Sequence, residues 1–263
     1  MIKLFGTQMQ TLSMQETIEA INIRINNNIF TQHVVVNVAK IVNMQRDALL
    51  RDSVNSSDLI NIDGVGLLWG AKLFSNDVTE RVSGIDLFYE LLKSAEKTGK
   101  GVFFLGATQS VLAKTLWNIK KQYPDLNVSG VQHGYYAESE EQGIAEKINK
   151  SGAEFLFVAM SSPKKENFIN RWKNKFGVSF VMGVGGTFDI VAGKTQRAPV
   201  WMQKSGLEWF YRVMQEPARL WKRYLYTNSK FALMLIRASF DKDFRIQGNR
   251  KIEHESFTNV KDL

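Results

Sequence analysis

The sequence predicts an α/β fold in which a mostly parallel sheet carries helices on both faces. Two observations lead to this prediction. Between residues 33 and 184, short runs rich in Val, Ile, Leu and Phe alternate with segments of helical character. Strands that alternate with helices of about 10–15 residues are typical of βαβ units, whose strands are parallel. The length of 263 residues is also sufficient for one sizeable hydrophobic core with a smaller addition.

The N-terminal part of the chain supplies the first elements of this pattern. Ser13 and Glu16 have the spacing of a capping box, which predicts the start of the first helix. A run of β-branched residues then predicts a buried strand with Asn37 at its end. The predicted elements are a short edge strand at residues 4–8, a helix at 14–27, a strand at 33–38, a helix at 39–52, a strand at 59–62 and a helix at 65–73.

The middle of the chain continues the alternation as far as residue 184. Its predicted elements are a helix at residues 85–98, a strand at 101–105, a helix at 110–123, a strand at 128–132, a helix at 138–151, a strand at 154–160, a helix at 163–176 and a strand at 179–184. There is no internal repeat and no low-complexity tract. This order predicts a Rossmann-like core built on one open sheet.

The composition changes near residues 193–195, where we divide the chain into a core at 1–194 and a C-terminal appendage at 195–263. The appendage is predicted to be helical, with helices at residues 209–213 and 229–241. Pro217 is expected to bend or restart the helix between them. An apolar run at residues 231–236 has a basic residue at each end.

The net charge of +8 is concentrated in this appendage. From Lys194 to Lys251 there are 13 Lys or Arg against 4 Asp or Glu, whereas the rest of the chain has 21 against 22. A basic segment that is also rich in aromatic residues suits an anionic membrane surface or a nucleic acid, and the alternative is a solvated basic face. The apolar run favours insertion at a bilayer surface over packing onto the core.

Several classes of site are not expected from this composition. The chain has no cysteine, and its three histidines are scattered without metal-ligand spacing. The one Asp-x-Asp sequence, Asp241 to Asp243, lies in the basic tail. We therefore predict neither a metal nor a cofactor. The N-terminus has no apolar segment typical of a secretory signal, and no window reaches the ~18 consecutive apolar residues of a membrane-spanning helix.

The candidate site lies where the predicted strands end, because open parallel sheets bind ligands beyond the carboxyl ends of their strands. Asn37, Asp63 and the turn at residues 183–189 fall there. Asp63 follows a strand of Leu and Ile, and Gly64 leaves it unshielded. Such a carboxylate can act as a general base. The alternative is that Asp63 only caps the following helix.

The turn after the last strand has the parts that a phosphate-bearing ligand requires. Gly185 and Gly186 allow close approach of the backbone, and Thr187 and Asp189 stand at the mouth of the turn. Arginines, with their forked donors, follow at positions 197, 212, 219 and 223. On a continuous helix Arg212, Arg219 and Arg223 would share one face. A tight turn without a ligand is the alternative.

Four sequence strings in this region carry a resemblance to a known family. They are the Gly-Val-Gly-Gly turn at residues 183–186, Arg-Ala-Pro at 197–199, Gly-Leu-Glu-Trp at 206–209 and the Arg-x-x-x-Glu-Pro-x-Arg-x-x-x-Arg-Tyr string at 212–224. In this order they resemble the WecG/TagA/CpsF family of bacterial glycosyltransferases. The resemblance extends back to about residue 1 and thins after about Tyr226.

The resemblance implies roles for particular residues. Asp63 corresponds to the aspartate proposed as the family's catalytic base. Arg81, in a Glu-Arg-Val-x-Gly-x-Asp sequence, would face the diphosphate of a sugar nucleotide; its alternative is a surface ion pair with Glu80 or Asp86. Lys165 stands where the family has a glutamine that lines the site, and it could reach a phosphate. The remaining residues expected to bind substrate are Asn37, Gly185, Gly186, Thr187, Asp189, Arg197, Arg212, Arg219 and Arg223.

The implied activity is an inverting, metal-independent transfer of a sugar from a UDP-sugar to a polyprenyl-pyrophosphate-linked sugar. Such a step serves bacterial surface polysaccharides: capsule, exopolysaccharide, common antigen or teichoic acid. The expected partners are the donor, the lipid-linked acceptor and the inner leaflet of the cytoplasmic membrane, where the protein would be peripheral on the cytoplasmic face. No nucleic acid is expected, and a homo-oligomer is compatible with this interpretation.

Two other functions remain as alternatives at this point. A Rossmann-like nucleotide-binding oxidoreductase would carry Gly-x-Gly-x-x-Gly after its first strand, but residues 34–40 contain no glycine. A nucleic-acid-binding protein is supported only by the charge of the tail.

Overall fold

A computed structural model describes residues 1–78 and 80–249. Its core is a six-stranded sheet in the order β4-β3-β8-β7-β5-β6, in which all neighbouring strands are parallel. This confirms the predicted fold class. The strands of this sheet are β3 (Thr31–Val36), β4 (Leu59–Ile62), β5 (Val102–Gly106), β6 (Val128–Gln132), β7 (Phe155–Ala159) and β8 (Phe180–Gly183), and the N-terminus adds an antiparallel pair, β1 (Ile2–Leu4) and β2 (Thr7–Met9).

The helices cover both faces of the sheet, as predicted. They are α1 (Met14–Asn26), α2 (Val38–Met44), α3 (Ala48–Asn55), α4 (Val65–Lys72), α5 (Gly84–Thr98), α6 (Gln109–Gln122), α7 (Glu141–Lys150), α8 (Lys164–Trp172), α9 (Thr187–Val191), α10 (Val200–Lys204), α11 (Glu208–Gln215), α12 (Pro217–Phe240) and α13 (Lys242–Gln247). Residues on one face of β5, such as Phe104, join a core with α1, α5, α6 and α9. Phe103, on the opposite face, joins a core with α7 and α8.

The topology places three strand ends side by side. β3 lies between β4 and β8 and is parallel to both. Asn37, Asp63 and the glycine turn follow β3, β4 and β8 respectively. Because the three strands run in the same direction, these residues meet at one edge of the sheet.

Several predicted boundaries differ from the structure for local reasons. The helix expected at residues 39–52 is two helices, because Asp47 accepts a hydrogen bond from the Leu50 N–H and starts α3. The edge strand expected at residues 4–8 is a hairpin that turns at Phe5 and Gly6. Pro217 restarts the helix, as expected, but α12 then runs unbroken to Phe240. The short helices α9, α10 and α13 were not expected.

The end of the described chain packs against its beginning. Phe231 of α12 and Phe244 of α13 contact the ring of Phe5, with centroid distances of 6.0 and 5.7 Å. The Phe5 and Gly6 N–H groups donate to the carbonyls of Arg245 and Ile246. The outer helices of the appendage therefore share a core with β1, β2, α2, α3 and α4.

This packing corrects the expectation that residues 231–236 as a whole face a bilayer. Phe231 is buried, and Met234 and Leu235 are half-buried against the same core. Only part of the run, including Leu233 and Ile236, is exposed. Residues 250–263 of the predicted appendage lie outside the described residues.

His33 is a buried titratable group in the middle of the sheet. Its Nε2 lies 3.0 Å from Oδ1 of Asn61, whose amide nitrogen donates to Oγ1 of Thr17. This arrangement assigns Oδ1 as the acceptor and places a hydrogen on Nε2. Burial disfavours the charged ring and lowers the pKa of His33 to about 4. The hydrogen bond with Asn61 opposes this shift without cancelling it, and the Lys40 charge adds a smaller lowering.

We expect the stability of the fold to fall as the pH drops from about 6.5 to about 4. The unfolded chain binds the His33 proton at a higher pH than the folded protein does, so stability is lost through this window, by about 3 kcal/mol. Chemical denaturation at a series of pH values measures the change. In His33→Gln the loss across this window should be largely absent, whereas His133→Gln, in a loop, should retain it.

Candidate active site

Asp63 occupies the edge of the sheet directly after β4. Its N–H donates to the Val36 carbonyl at 2.7 Å, which fixes the backbone next to the end of β3. Gly64, with a φ of +94°, takes the N-cap position of α4, so Asp63 is not the capping residue. A Cβ on Gly64 would lie 3.8 Å from the Cβ of Asn37, which places Asn37 beside this turn. The Asp63 side chain is 28% exposed.

Arg81 connects Asp63 to the appendage. Its Nη1 lies 3.6 Å from Oδ1 of Asp63 and 3.3 Å from Oε2 of Glu208, at the start of α11. Arg81 and Glu208 are each 19% exposed. Arg81 does not form the alternative ion pair with Glu80 or Asp86. Glu80 accepts a hydrogen bond from the Met14 N–H, and Asp86 pairs with Arg197. One guanidinium is thus shared by a core carboxylate and an appendage carboxylate.

This environment raises the pKa of Asp63 above its ordinary value. Burial of the carboxylate is the main cause, and the negative charge of Glu208 adds to it. The charges of Arg81 and Arg212 and the backbone N–H of Gly84 oppose the shift without cancelling it. A carboxylate with a raised pKa is a stronger base, which suits proton abstraction.

Arg197 holds the appendage to the core. Its Nη1 and Nη2 each donate to one carboxylate oxygen of Asp86 at 2.6 Å, a bidentate pair with the first turn of α5. Burial would raise the pKa of Asp86, but the hydrogen bonds from Arg197 and Ser83 hold it below its ordinary value. Arg197 was expected to bind substrate. In the structure its guanidinium is engaged by the protein itself.

The glycine turn leaves open space above β8. A Cβ built on Gly185 or Gly186 would meet no atom within 4 Å, so a ligand can approach the backbone there. The Thr187 hydroxyl donates to the Val184 carbonyl at 2.8 Å and is buried within the turn. Asp189 forms an exposed ion pair with Lys194, at 3.0 Å.

The three remaining arginines are distributed around this edge. Arg212, on α11, is close enough to Asp63 for its charge to act on that carboxylate. Arg219, on α12, pairs with Glu216, and the Asp189 charge also contributes to its raised pKa. Arg223 lies 5.3 Å from the ring centroid of Tyr224. Because α11 ends at Gln215 and α12 begins at Pro217, the shared face expected for these arginines on one continuous helix does not form.

Lys165 lies beneath the turn in a buried cluster of charges. The Nζ atoms of Lys165 and Lys40 are both 2.8 Å from Oε1 of Glu166, and the three side chains are 3–8% exposed. The methylene groups of Lys165 fill the space beside Gly183. Burial and the Lys40 charge lower the pKa of Lys165 to about 8, whereas the two lysines hold that of Glu166 at about 2 despite its burial. The cluster has one cation more than it has anions.

Sequence reasoning missed three functional candidates: Glu208, Asp86 and the Lys40–Glu166 pair. Glu208 and Asp86 lie inside the strings that carry the family resemblance, so a signal was present. Their partners, Arg81 and Arg197, are distant in sequence and come together only when the appendage docks. Lys40 has no such signal.

The described part of the chain has neither a cluster of side chains suited to a metal ion nor a helix suited to span a membrane. Among residues 1–78 and 80–249, no group of three or more His, Cys, Asp or Glu side chains is placed to hold a metal ion. Over the same ranges, no helix has the length and apolar character needed to cross a membrane.

The chain is similar in sequence to known proteins of one family. The sequence profile described as "Glycosyl transferase WecG/TagA/CpsF family" matches residues 2–245. An N-acetylglucosaminyldiphosphoundecaprenol N-acetyl-beta-D-mannosaminyltransferase of Bacillus spizizenii (strain ATCC 23059 / NRRL B-14472 / W23) is 37% identical over 172 residues, which are 65% of this chain and 66% of the relative. A protein of the same name from Bacillus subtilis (strain 168) is 35% identical over 191 residues, which are 73% of each. These matches favour glycosyl transfer over the oxidoreductase and nucleic-acid alternatives.

The buried charge cluster leads to a stability prediction. Glu166→Gln should lower the free energy of unfolding at pH 7 by about 3–5 kcal/mol, because two buried lysines lose their counter-charge. The loss should shrink toward pH 9.5, since Lys165 then becomes neutral. Chemical denaturation at both pH values tests this. Glu146→Gln, on the exposed face of α7, is the matched control, and an equal effect of the two substitutions would contradict the interpretation.

Proposed function

The chain belongs to the WecG/TagA/CpsF family of glycosyl transferases, and on that premise we propose that it moves a sugar from a UDP-sugar to a polyprenyl-pyrophosphate-linked sugar in surface polysaccharide synthesis. The observation that carries this proposal is Asp63, a carboxylate with a raised pKa at the edge of the sheet, covered by an appendage with several arginines. The names of the two Bacillus relatives make N-acetylglucosaminyl-diphosphoundecaprenol the first acceptor to test and N-acetylmannosamine the first sugar.

In the proposed reaction, Asp63 accepts the proton of the attacking acceptor hydroxyl. The hydroxyl oxygen forms a bond to the anomeric carbon while the bond from that carbon to the UDP oxygen breaks, and UDP leaves with the electron pair. Attack from the face opposite to UDP inverts the configuration of the anomeric carbon. The proton remains on Asp63 until it is released to solvent.

Protein cations are proposed to stabilise the departing diphosphate without a metal ion. Arg212 and Arg219 lie on the two appendage helices that reach Asp63 and Asp189. The open backbone at Gly185 and Gly186 provides room for phosphate oxygens, and the excess charge of the Lys40–Glu166–Lys165 cluster lies beneath it. Preorganised charges of this kind stabilise a developing anion.

The other predicted contacts are kept as part of this proposal. Asn37 is exposed beside Gly64, and its Oδ1 accepts from the Lys40 N–H. Its amide hydrogens are therefore proposed to bind a sugar hydroxyl. Thr187 and Asp189 were predicted to bind substrate, but because both are engaged by the protein itself we propose that they shape the turn. Arg223 is proposed to bind phosphate from the outer surface of α12.

We further propose that α12 rests on the cytoplasmic face of the membrane. Its core-facing side buries Leu220, Thr227, Phe231 and Ala238, whereas its outer side exposes Trp221, Leu225, Leu233, Ile236 and Phe240. Exposed Lys222, Arg223, Lys230 and Arg237 accompany these apolar residues. An apolar stripe with basic neighbours suits an anionic bilayer surface, with about 1 kcal/mol from each cation near it. A lipid-linked acceptor would be met at that surface.

The function is tested by measuring UDP release and product formation with a panel of UDP-sugars and N-acetylglucosaminyl-diphosphoundecaprenol. One donor, with UDP-N-acetylmannosamine as the first candidate, should support turnover, and turnover should persist in excess EDTA. Loss of activity in EDTA that Mg²⁺ or Mn²⁺ restores would contradict the metal-independent mechanism. No transfer from any donor would contradict the proposed function.

Asp63→Asn should fold normally and lower turnover by about 10²–10⁴-fold, because the amide cannot accept the proton. The same assay measures the effect, with a thermal melt to confirm the fold. Asp52→Asn, an exposed residue on α3, serves as the control and should retain wild-type turnover. Wild-type turnover in a folded Asp63→Asn protein would remove Asp63 from the base role.

The membrane proposal predicts the effect of removing the outer stripe of α12. The triple variant Trp221→Ser, Leu225→Ser and Leu233→Ser should bind anionic phosphatidylglycerol vesicles at least about tenfold more weakly, because each side chain loses apolar burial. Co-sedimentation at low and high salt measures this. The control replaces Ile23, Leu49 and Trp117, which are equally exposed on the core, by Ser; equal losses in both triple variants would contradict an α12 surface.

A further inference from the structure

Glu208 has a position that the proposed mechanism does not yet use. It is the first residue of α11, and its Oε2 lies 3.3 Å from Nη1 of Arg81. The same nitrogen is 3.6 Å from Oδ1 of Asp63. A single guanidinium nitrogen therefore stands between the candidate base and a carboxylate supplied by the appendage, and it is closer to the appendage carboxylate.

The position of Glu208 depends on docking of the appendage. Gly206, two residues earlier, has a φ of +78°, and a Cβ there would come within 2.8 Å of Val65 in the first turn of α4. Only glycine permits this approach. The bidentate Asp86–Arg197 pair fixes the chain just before α10. The contacts that dock the appendage therefore also place Glu208 against Arg81.

The charges around Asp63 show what Glu208 does electrostatically. Arg81 and Arg212 favour the ionised carboxylate, and Glu208 disfavours it. Asp86, which is also near Arg81, is already neutralised by Arg197. Without Glu208, the base would face two arginines with no competing carboxylate. An aspartate held in that way gives up its negative charge less readily and is a weaker base.

We propose that Glu208 is a positioning residue that draws Arg81 away from full pairing with Asp63, so that docking of the appendage makes Asp63 a competent base. This inference rests on the proposed function, because it assigns a role to a residue that acts through Asp63. It gives the appendage a second task beyond phosphate binding. The core alone would hold an aspartate that is paired with Arg81 and poorly suited to take a proton.

The test is the pH dependence of kcat/KM for sugar transfer in the full-length chain. In Glu208→Gln the acidic limb of the profile should move about one pH unit lower, because one negative charge near Asp63 is removed. The plateau should fall severalfold, since the weaker base transfers a proton less effectively. Glu208→Asp, which keeps the charge, should restore the wild-type limb. Glu216→Gln removes a different appendage carboxylate, one that pairs with Arg219, and should leave the limb in place.

A purely structural role of Glu208 has a different outcome. It would lower kcat/KM in Glu208→Gln without moving the acidic limb, and that result would overturn the proposal, as would an unchanged profile. A carboxyl-carbon NMR titration, with the Asp63 signal assigned by its loss in Asp63→Asn, provides a readout that needs no activity. The Asp63 pKa should be lower in Glu208→Gln than in the wild type. If that shift is seen in a protein that transfers no sugar, the electrostatic inference stands and the proposed function fails. If sugar is transferred and the Asp63 pKa is the same in Glu208→Gln as in the wild type, the proposed function stands and the electrostatic inference fails.

Discussion

The parallel direction of β4, β3 and β8 is the constraint on which the rest of the structure depends. Parallel neighbours present their carboxyl ends at one edge, so three turns that are far apart in sequence become adjacent. One turn supplies an aspartate, one an asparagine and one an open glycine backbone. The helices on both faces hold this edge in place, and the proposed site lies in the turns above it and in the appendage that covers them.

The appendage contributes to two different parts of the molecule. Its outer helices, α12 and α13, are built into a hydrophobic core together with the N-terminal hairpin. The segment before them, from Arg197 to Gln215, lies over the sheet edge and is held there by ion pairs with Asp86 and Arg81. One part is anchored by apolar burial and the other mainly by charge. A ligand with phosphate groups can compete for the second kind of contact and has little effect on the first.

Much of the fold was predictable because apolar runs and helical segments mark βαβ units locally. The strand ends at Asn37, Asp63 and Gly183 could be placed for the same reason, and the general rule for open sheets located the candidate site. The pairings were not predictable. Lys165 looks like a phosphate ligand in sequence, yet its burial with Glu166 and Lys40 depends on the packing of α8 against β8. Arg197 likewise looks free until α5 brings Asp86 opposite to it. Charge patterns show which groups are present, and tertiary contacts decide which of them neutralise each other.

The hydrogen bonds between the two ends of the described chain bear on how the protein is made. The N–H groups of Phe5 and Gly6 find their acceptors on Arg245 and Ile246, and the ring of Phe5 is covered by Phe231 and Phe244. During synthesis the first hairpin leaves the ribosome long before these partners exist. Contacts of such sequence separation form late and slowly. The hairpin of β1 and β2 must therefore wait, with part of its apolar face uncovered, until residues 231–246 have been synthesised.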